Sequence, residues 1–429
     1  MLDLHKKFAK CVLAGGAVPG LLLKVVVGLS IAAPGRADDW PGWRGAGRDG
    51  LCHEKDLLQS WPSGGPKLLW KATGLGEGYS SPSICGDLLY TMGNRDGKEW
   101  VIALKWAEGG REAWRKAIGP VRHKGGGYPG PRSTPTLSGG RLYTLGINGD
   151  LVCMDARSGE LIWRRDLVSD FSGEIPEWGY SESLLVDGNL ILCTPGGKRG
   201  TVLALSKTEG RLVWLSPPVD KAAYSSIVRA TLGGRPQYVQ LGAHCLFGVC
   251  AETGRLFWRF DKLGRTHANV STPVTHNETV FATSGYRSGA GVLLQFEKGP
   301  KGPVYKVRYI TKHLRVHLGG VVLVDGYLYG CDSPRTLTCM EYETGRVMWT
   351  DRSCGSGCSL IYAGGMLYVR SERGRMSLVR ATPAGFELRG RFEQPYRTRK
   401  HAWTPPAIAA GRLYLRDQDI LLCYDIRRK

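Results

Sequence analysis

Hydrophobic and polar positions alternate in short bursts along most of this chain, and turn-forming residues separate the bursts. The clearest stretch is 139–165, GGRLYTLGINGDLVCMDARSGELIWRR. Leu142, Tyr143 and Thr144 make one burst, Leu151 to Met154 the next, and Leu161 to Trp163 the last. Strand-forming residues divided by Gly, Asn and Asp predict antiparallel hairpins rather than helix. Gly followed by three residues and Trp occurs at Gly110/Trp114, Gly159/Trp163, Gly210/Trp214, Gly254/Trp258 and Gly345/Trp349. Gly permits the positive φ of a tight turn, and the strand that follows sets Trp against a neighbouring sheet. Five copies at roughly 40–50-residue spacing predict a repeat fold.

Each repeat begins with a Ser/Thr/Gly-rich lead-in: Ser80-Ser81-Pro82, Ser133-Thr134-Pro135, Ser181-Glu182-Ser183, Ser225-Ser226, Ser271-Thr272-Pro273, Gly319-Gly320, Gly357-Cys358 and Thr404-Pro405-Pro406. The last strands are marked by Trp70, Trp114, Trp163, Trp214, Trp258 and Trp349, with degenerate copies near Val307 and Arg389. Both series count eight, offset by one, because the chain begins with a last strand and ends at Cys423-Tyr424-Asp425 without one. A ring in which Lys67 to Ala72 completes the final sheet resolves the offset. The expectation is an all-β, eight-bladed β-propeller over residues 66–429, its last blade closed by an N-terminal strand. Residues 38–65 precede it as a separate segment.

The copies Ala103-Leu104, Met154-Asp155-Ala156-Arg157-Ser158-Gly159 and Glu252-Thr253-Gly254-Arg255 resemble pyrroloquinoline-quinone-like (PQQ-like) propeller repeats. Asp39-Trp40-Pro41-Gly42-Trp43-Arg44-Gly45 with Arg48-Asp49-Gly50 looks like the start of exported PQQ-like propellers of planctomycete-type bacteria. The resemblance covers roughly residues 39–426 and is specific for fold rather than activity, since it takes in quinoprotein dehydrogenases and outer-membrane assembly propellers alike. The dehydrogenases it implies hold PQQ over a channel mouth with an Asp base, calcium, a Trp floor and usually adjacent cysteines. Here no two cysteines are adjacent, and no local run of Asp, Asn and Glu supplies the six to eight oxygens calcium takes. No catalytic residue carries over, so the site reading has no catalytic and no metal residues.

Sixty Gly and 23 Pro fit a turn-dense β protein. Lys6, Lys7, Lys10 and Lys24, the apolar run Val25 to Ala33 and the exit Gly35-Arg36-Ala37 predict a signal peptide over 1–37 and a periplasmic location. Lys24 and Pro19 leave the apolar run too short to span a membrane, and no other segment is long enough. The charge of +20 falls to about +16 after cleavage, and the basic end is read as a solvated surface rather than a nucleic-acid site. Cys153, Cys250, Cys339 and Cys423 are read as one small core position, alternating with Ala103 and Ala204. Cys354 and Cys358 have the spacing to close a small disulfide.

Segments just upstream of each lead-in should converge on one face of the channel. They bring together Tyr79, Arg132, Trp178, Tyr180, Tyr224, His267, Asn269, His317, His401 and Trp403 as candidates for ligand or partner binding. The three histidines are too scattered around the ring for one metal ion. The functional expectation is a monomeric, exported, non-catalytic binding or scaffolding module with a protein or polysaccharide partner. The competing class is a PQQ- and calcium-dependent alcohol or sugar dehydrogenase using the same mouth.

Overall fold

The computed structural model describes residues 39–122, 125–263, 268–287, 289–332 and 335–428. Residues 1–37, where a signal peptide is expected, and His267 lie outside them. Eight four-stranded antiparallel blades follow one another, the first seven laid down from inner to outer strand in chain order. Blade 1 runs from Ser83–Cys85 to Arg111–Pro120, blade 2 from Thr136–Ser138 to Leu161–Asp166 and blade 3 from Leu185–Asp187 to Leu212–Leu215. Blade 4 spans Val228–Leu232 to Leu256–Phe260, blade 5 Val274–His276 to Gly302–Thr311 and blade 6 Val316–Val324 to Val347–Asp351. Blade 7 runs from Ser359–Ala363 to Leu388–Glu393. Blade 8 takes Ala407–Ala409, Arg412–Asp417 and Ile420–Asp425 from the C-terminal end and Lys67–Ala72 as its outer strand, paired antiparallel with Ile420–Asp425. The chain is an eight-bladed β-propeller closed by an N-terminal strand.

The Gly-x-x-x-Trp repeat joins blades rather than serving one. Gly110, Gly159, Gly210, Gly254 and Gly345 all have φ between 66° and 77°. A Cβ there would also strike an aromatic ring of the preceding blade: Trp70, Trp114, Trp163, Trp214 and Tyr309 respectively. Three of these rings then donate to a carbonyl of the next blade, Trp70 to Trp106, Trp114 to Ala156 and Trp163 to Lys207, as Trp349 does to Thr382, at 2.7–3.1 Å. Gly is therefore required twice, for its backbone and for the ring that covers it.

The degenerate copies are repaired by other aromatics. In blade 5 the Trp position is Tyr309, which pairs with Leu293 and donates to the Tyr342 carbonyl at 2.7 Å. In blade 7 it is Gly390, and Trp61 from the N-terminal segment fills the space, edge-on to Tyr368 and Phe392. One cysteine reading needs correction. Cys153, Cys339 and Cys423 do pair with Trp163, Trp349 and Trp70, but Trp258 pairs with Gly248 and Cys250 lies two residues further on. A side chain at Gly248 would displace the Gln237 Oε1 that accepts from Trp258 Nε1 at 2.5 Å. Cys354 and Cys358 are buried free thiols.

The lead-in hydroxyls stitch the inner strands together. Ser183 Oγ accepts from the Thr134 N–H, Ser226 Oγ from the Ser183 N–H, and Ser225 Oγ donates to the Ser271 carbonyl. Residues 39–52 cross this inner ring. Trp40 bridges to Ile84, the Pro41 carbonyl accepts from Leu137, and Trp43 Nε1 donates to Thr272. Arg44 donates to the Gly319 and Val321 carbonyls and Arg48 to those of Ser183 and Leu184. Leu51–Cys52 then pairs parallel to Ser359–Ala363. The motif that begins the described chain thus plugs the channel, holding inner strands of blades 1, 2, 3, 5, 6 and 7.

Candidate functional site: an aromatic cavity at the channel mouth

The segments leading into the inner strands meet around a cavity of about 310 Å³. Tyr79, Tyr128, Arg132, Trp178, Tyr224, His317 and Trp403 line it, together with Ser181, Ser226, Val270, Tyr286 and Trp43. The rings form two arcs. In one, Trp403 lies 5.4 Å from Tyr79 and 4.8 Å from Tyr128, with His401 stacked parallel on it at 4.7 Å and 6.3 Å from Tyr128. In the other, Trp178 lies 5.4 Å from Tyr224 and edge-on to Tyr286 at 5.8 Å, and Tyr286 lies 5.0 Å from His317.

Arg132 ties the arcs together. Its guanidinium lies over the Tyr79 ring at 5.7 Å and donates to the carbonyls of Tyr128, Gly130 and Trp178. Burial pulls its pKa below the usual guanidinium value. Burial likewise lowers the pKa of His317, which favours the neutral imidazole; the ring makes no hydrogen bond among the described residues.

Six of the ten sequence candidates, Tyr79, Arg132, Trp178, Tyr224, His317 and Trp403, border the cavity. Tyr180 is buried beneath, its hydroxyl donating to the Pro195 carbonyl at 2.9 Å. Asn269 is also buried, donating to the Gly242 and Ala243 carbonyls. His401 is exposed and reaches the site through Trp403. Tyr286 and Trp43 were not among the candidates. Tyr286 comes from the 284–290 connection inside blade 5, and Trp43 from the plug, so neither sits ahead of an inner strand.

Among the described lining residues there is no carboxylate. Glu372 and Asp332 lie in an adjoining cleft that shares His317 and Trp403 with the cavity, and Glu177 acts electrostatically on Tyr224. Both cleft carboxylates are engaged: Asp332 accepts from Arg315, and Glu372 accepts from Ser356 Oγ at 2.6 Å and from Trp403 Nε1 at 3.4 Å. The cavity's donor set therefore does not fit calcium, which takes oxygen ligands and favours carboxylates. It also offers no carboxylate base beside a bound quinone.

Comparison with known proteins follows the fold. The sequence profile described as outer membrane protein assembly factor BamB matches residues 97–351, more than half of the chain. The protein of that name from Burkholderia pseudomallei is 23% identical over 253 residues, covering 56% of this chain and 58% of its own. The Escherichia coli K12 protein of that name is 33% identical over 84 residues, 19% of this chain and 18% of its own. The present chain thus spans well under two thirds of the length of the curated relatives it matches. Among solved structures, BamB from Moraxella catarrhalis superposes with a TM-score of 0.61 at 14% identity, over 84% of this chain and 99% of that one. Quinohemoprotein alcohol dehydrogenase from Comamonas testosteroni gives 0.61 at 11%, over 91% and 81%. These structures share the fold.

Proposed function

Since this chain belongs to the outer membrane protein assembly factor BamB family, we propose that it is an exported, non-catalytic binding module whose channel mouth receives a protruding group of its partner. The observation that carries the reading is the composition of the cavity wall: among the described residues it holds seven Trp and Tyr rings, hydroxyls, the Arg132 guanidinium and the His317 imidazole, and no carboxylate. Trp, Tyr and Arg around a concave, largely apolar recess are what binding anchors need. Arg132 is occupied by carbonyls that position the walls. Among the described residues no helix is long and apolar enough to cross a membrane.

A titration of the protein with PQQ in millimolar calcium tests this reading, followed by tryptophan quenching and dye-linked alcohol oxidation. The expected result is neither saturable quenching nor turnover. Calcium-dependent saturation accompanied by turnover would replace the binding module with an oxidoreductase.

A further inference from the structure

Aromatic cavities accept several kinds of guest, and the polar groups in this one narrow the choice. A cation is disfavoured because the Arg132 guanidinium already lies over the Tyr79 ring and, among the described residues, no carboxylate lines the space. Ser181 and Ser226 already bond within the wall, to the Gly179 carbonyl and the Ser183 N–H, but a purely apolar side chain would cover the His317 imidazole, which borders the same space. A polar group buried without a partner costs about 1–3 kcal/mol. The guest that fits presents apolar faces to the rings and a neutral hydrogen-bonding group to His317.

Sugar rings do both. The axial C–H face of a pyranose stacks on Trp or Tyr, and its hydroxyls both donate and accept, as Ser, Tyr and a neutral imidazole do. The cavity of about 310 Å³ lies at the small end of ligand sites, and Trp43 of the plug borders it. A plugged recess of this size takes the end of a chain rather than its middle.

We propose that the mouth cavity binds the terminal pyranose unit of a neutral saccharide, stacked between the Trp403 and Trp178 arcs. The proposal rests on the binding-module reading and names its ligand.

The test is tryptophan-fluorescence and calorimetric titration with maltohexaose, chitohexaose, mannohexaose and xylohexaose, with dye-linked oxidation run on the same samples. Saturable binding of at least one sugar without oxidation is expected, weakened tenfold or more in Trp403→Ala and in Tyr286→Ala. Tyr286 lies on a loop, so that variant separates loss of binding from loss of fold, and thermal melts check both. No binding by any of the four at millimolar concentration overturns the proposal, as does binding that both variants retain. Cavity-dependent capture of a protein from envelope extract, with no sugar bound, also overturns it while leaving the binding module intact. Sugar oxidation would instead overturn the binding module itself.

Discussion

Blades 1 to 3 and the seam formed by blades 7, 8 and 1 face the same task, locking neighbouring sheets together, and meet it with different chemistry. In the first region the lock is local. Trp114 and Trp163 cross to the glycine and turn carbonyl of the next blade, and each blade carries its own copy. At the seam the Trp70–Gly110 lock persists, but blade 7 lacks its tryptophan and blade 8 its own outer strand, and distant segments supply both. Lys67–Ala72 supplies the outer strand of blade 8, and Trp61 fills the place left by Gly390. Two fully buried arginines cross between blades. Arg370 donates to the Thr404 and Arg416 carbonyls and to Gln394, and Arg416 to the carbonyls of Ser80 and Met92 and to Thr91 Oγ1. A repeat can close a ring by sequence-local means everywhere except where the chain ends meet, and there it must recruit long-range contacts.

The largest expected effect therefore lies at the seam. Deleting residues 66–72 removes five ladder pairs with Ile420–Asp425 and the Trp70 ring over Gly110. Chemical denaturation should show a loss of about 5 kcal/mol or more. An unchanged midpoint would mean that the ring is not closed by this strand.

Next come the aromatic locks themselves, one from each region. Trp163→Ala should cost about 3–5 kcal/mol, as for truncation of a buried aromatic. Trp61→Ala should cost a similar amount, although Trp61 lies outside the repeats, because it is buried against Tyr368 and Phe392. If Trp61→Ala were neutral in equilibrium unfolding while Trp163→Ala was not, the N-terminal segment would be an appendage rather than part of blade 7.

How much of this could be read from the chain follows the same division. Periodic signals were legible: the five glycine–tryptophan pairs, the eight lead-ins and the offset that called for Lys67–Ala72. Substitutions by shape were not. Tyr309 does the work of a tryptophan from two residues beyond Val307, and Gly390 leaves a hole that a residue over 300 positions away fills. Cys250 matched by composition but not by register, because a single Gly at 248 makes room for Gln237. At the mouth, candidates ahead of inner strands were found because every blade presents that segment on the same face. Tyr286 follows a second strand and Trp43 lies in the plug, and only the folded ring brings them to the cavity. The arginine staples left no signal, since nothing local distinguishes a buried guanidinium from a solvated one.

The last prediction sharpens the comparison through pH. Where the seam uses buried arginines, blades 1 to 4 use buried glutamates: Glu99 accepts from the Ile147 N–H, and Glu182 accepts from Ile227, Thr194 and Gln240. Burial pushes both carboxyls up to about 7. Asp150, Arg122 and Arg132 act electrostatically on Glu99, and Arg48 acts on Glu182. A carboxyl raised in the folded state gives stability that is fully present below its ordinary value of 4.5 and is lost as pH rises to about 7. Burial holds Arg370 at about 10 and Arg416 at about 9, so neither titrates in that window. The two glutamates should therefore lower stability between about pH 4.5 and 7, against the opposite contribution of His317 in blade 6, whose pKa burial lowers and which gains stability as pH rises toward 6.5. Combining Glu99→Gln with Glu182→Gln should flatten that slope, while the seam variant Trp61→Ala should lower stability evenly across it. Unfolding midpoints at pH 5, 6 and 7.5 would decide the matter. A falling slope that survives in the double glutamine variant would show that the acidic staples are not what makes the two halves of the ring respond differently.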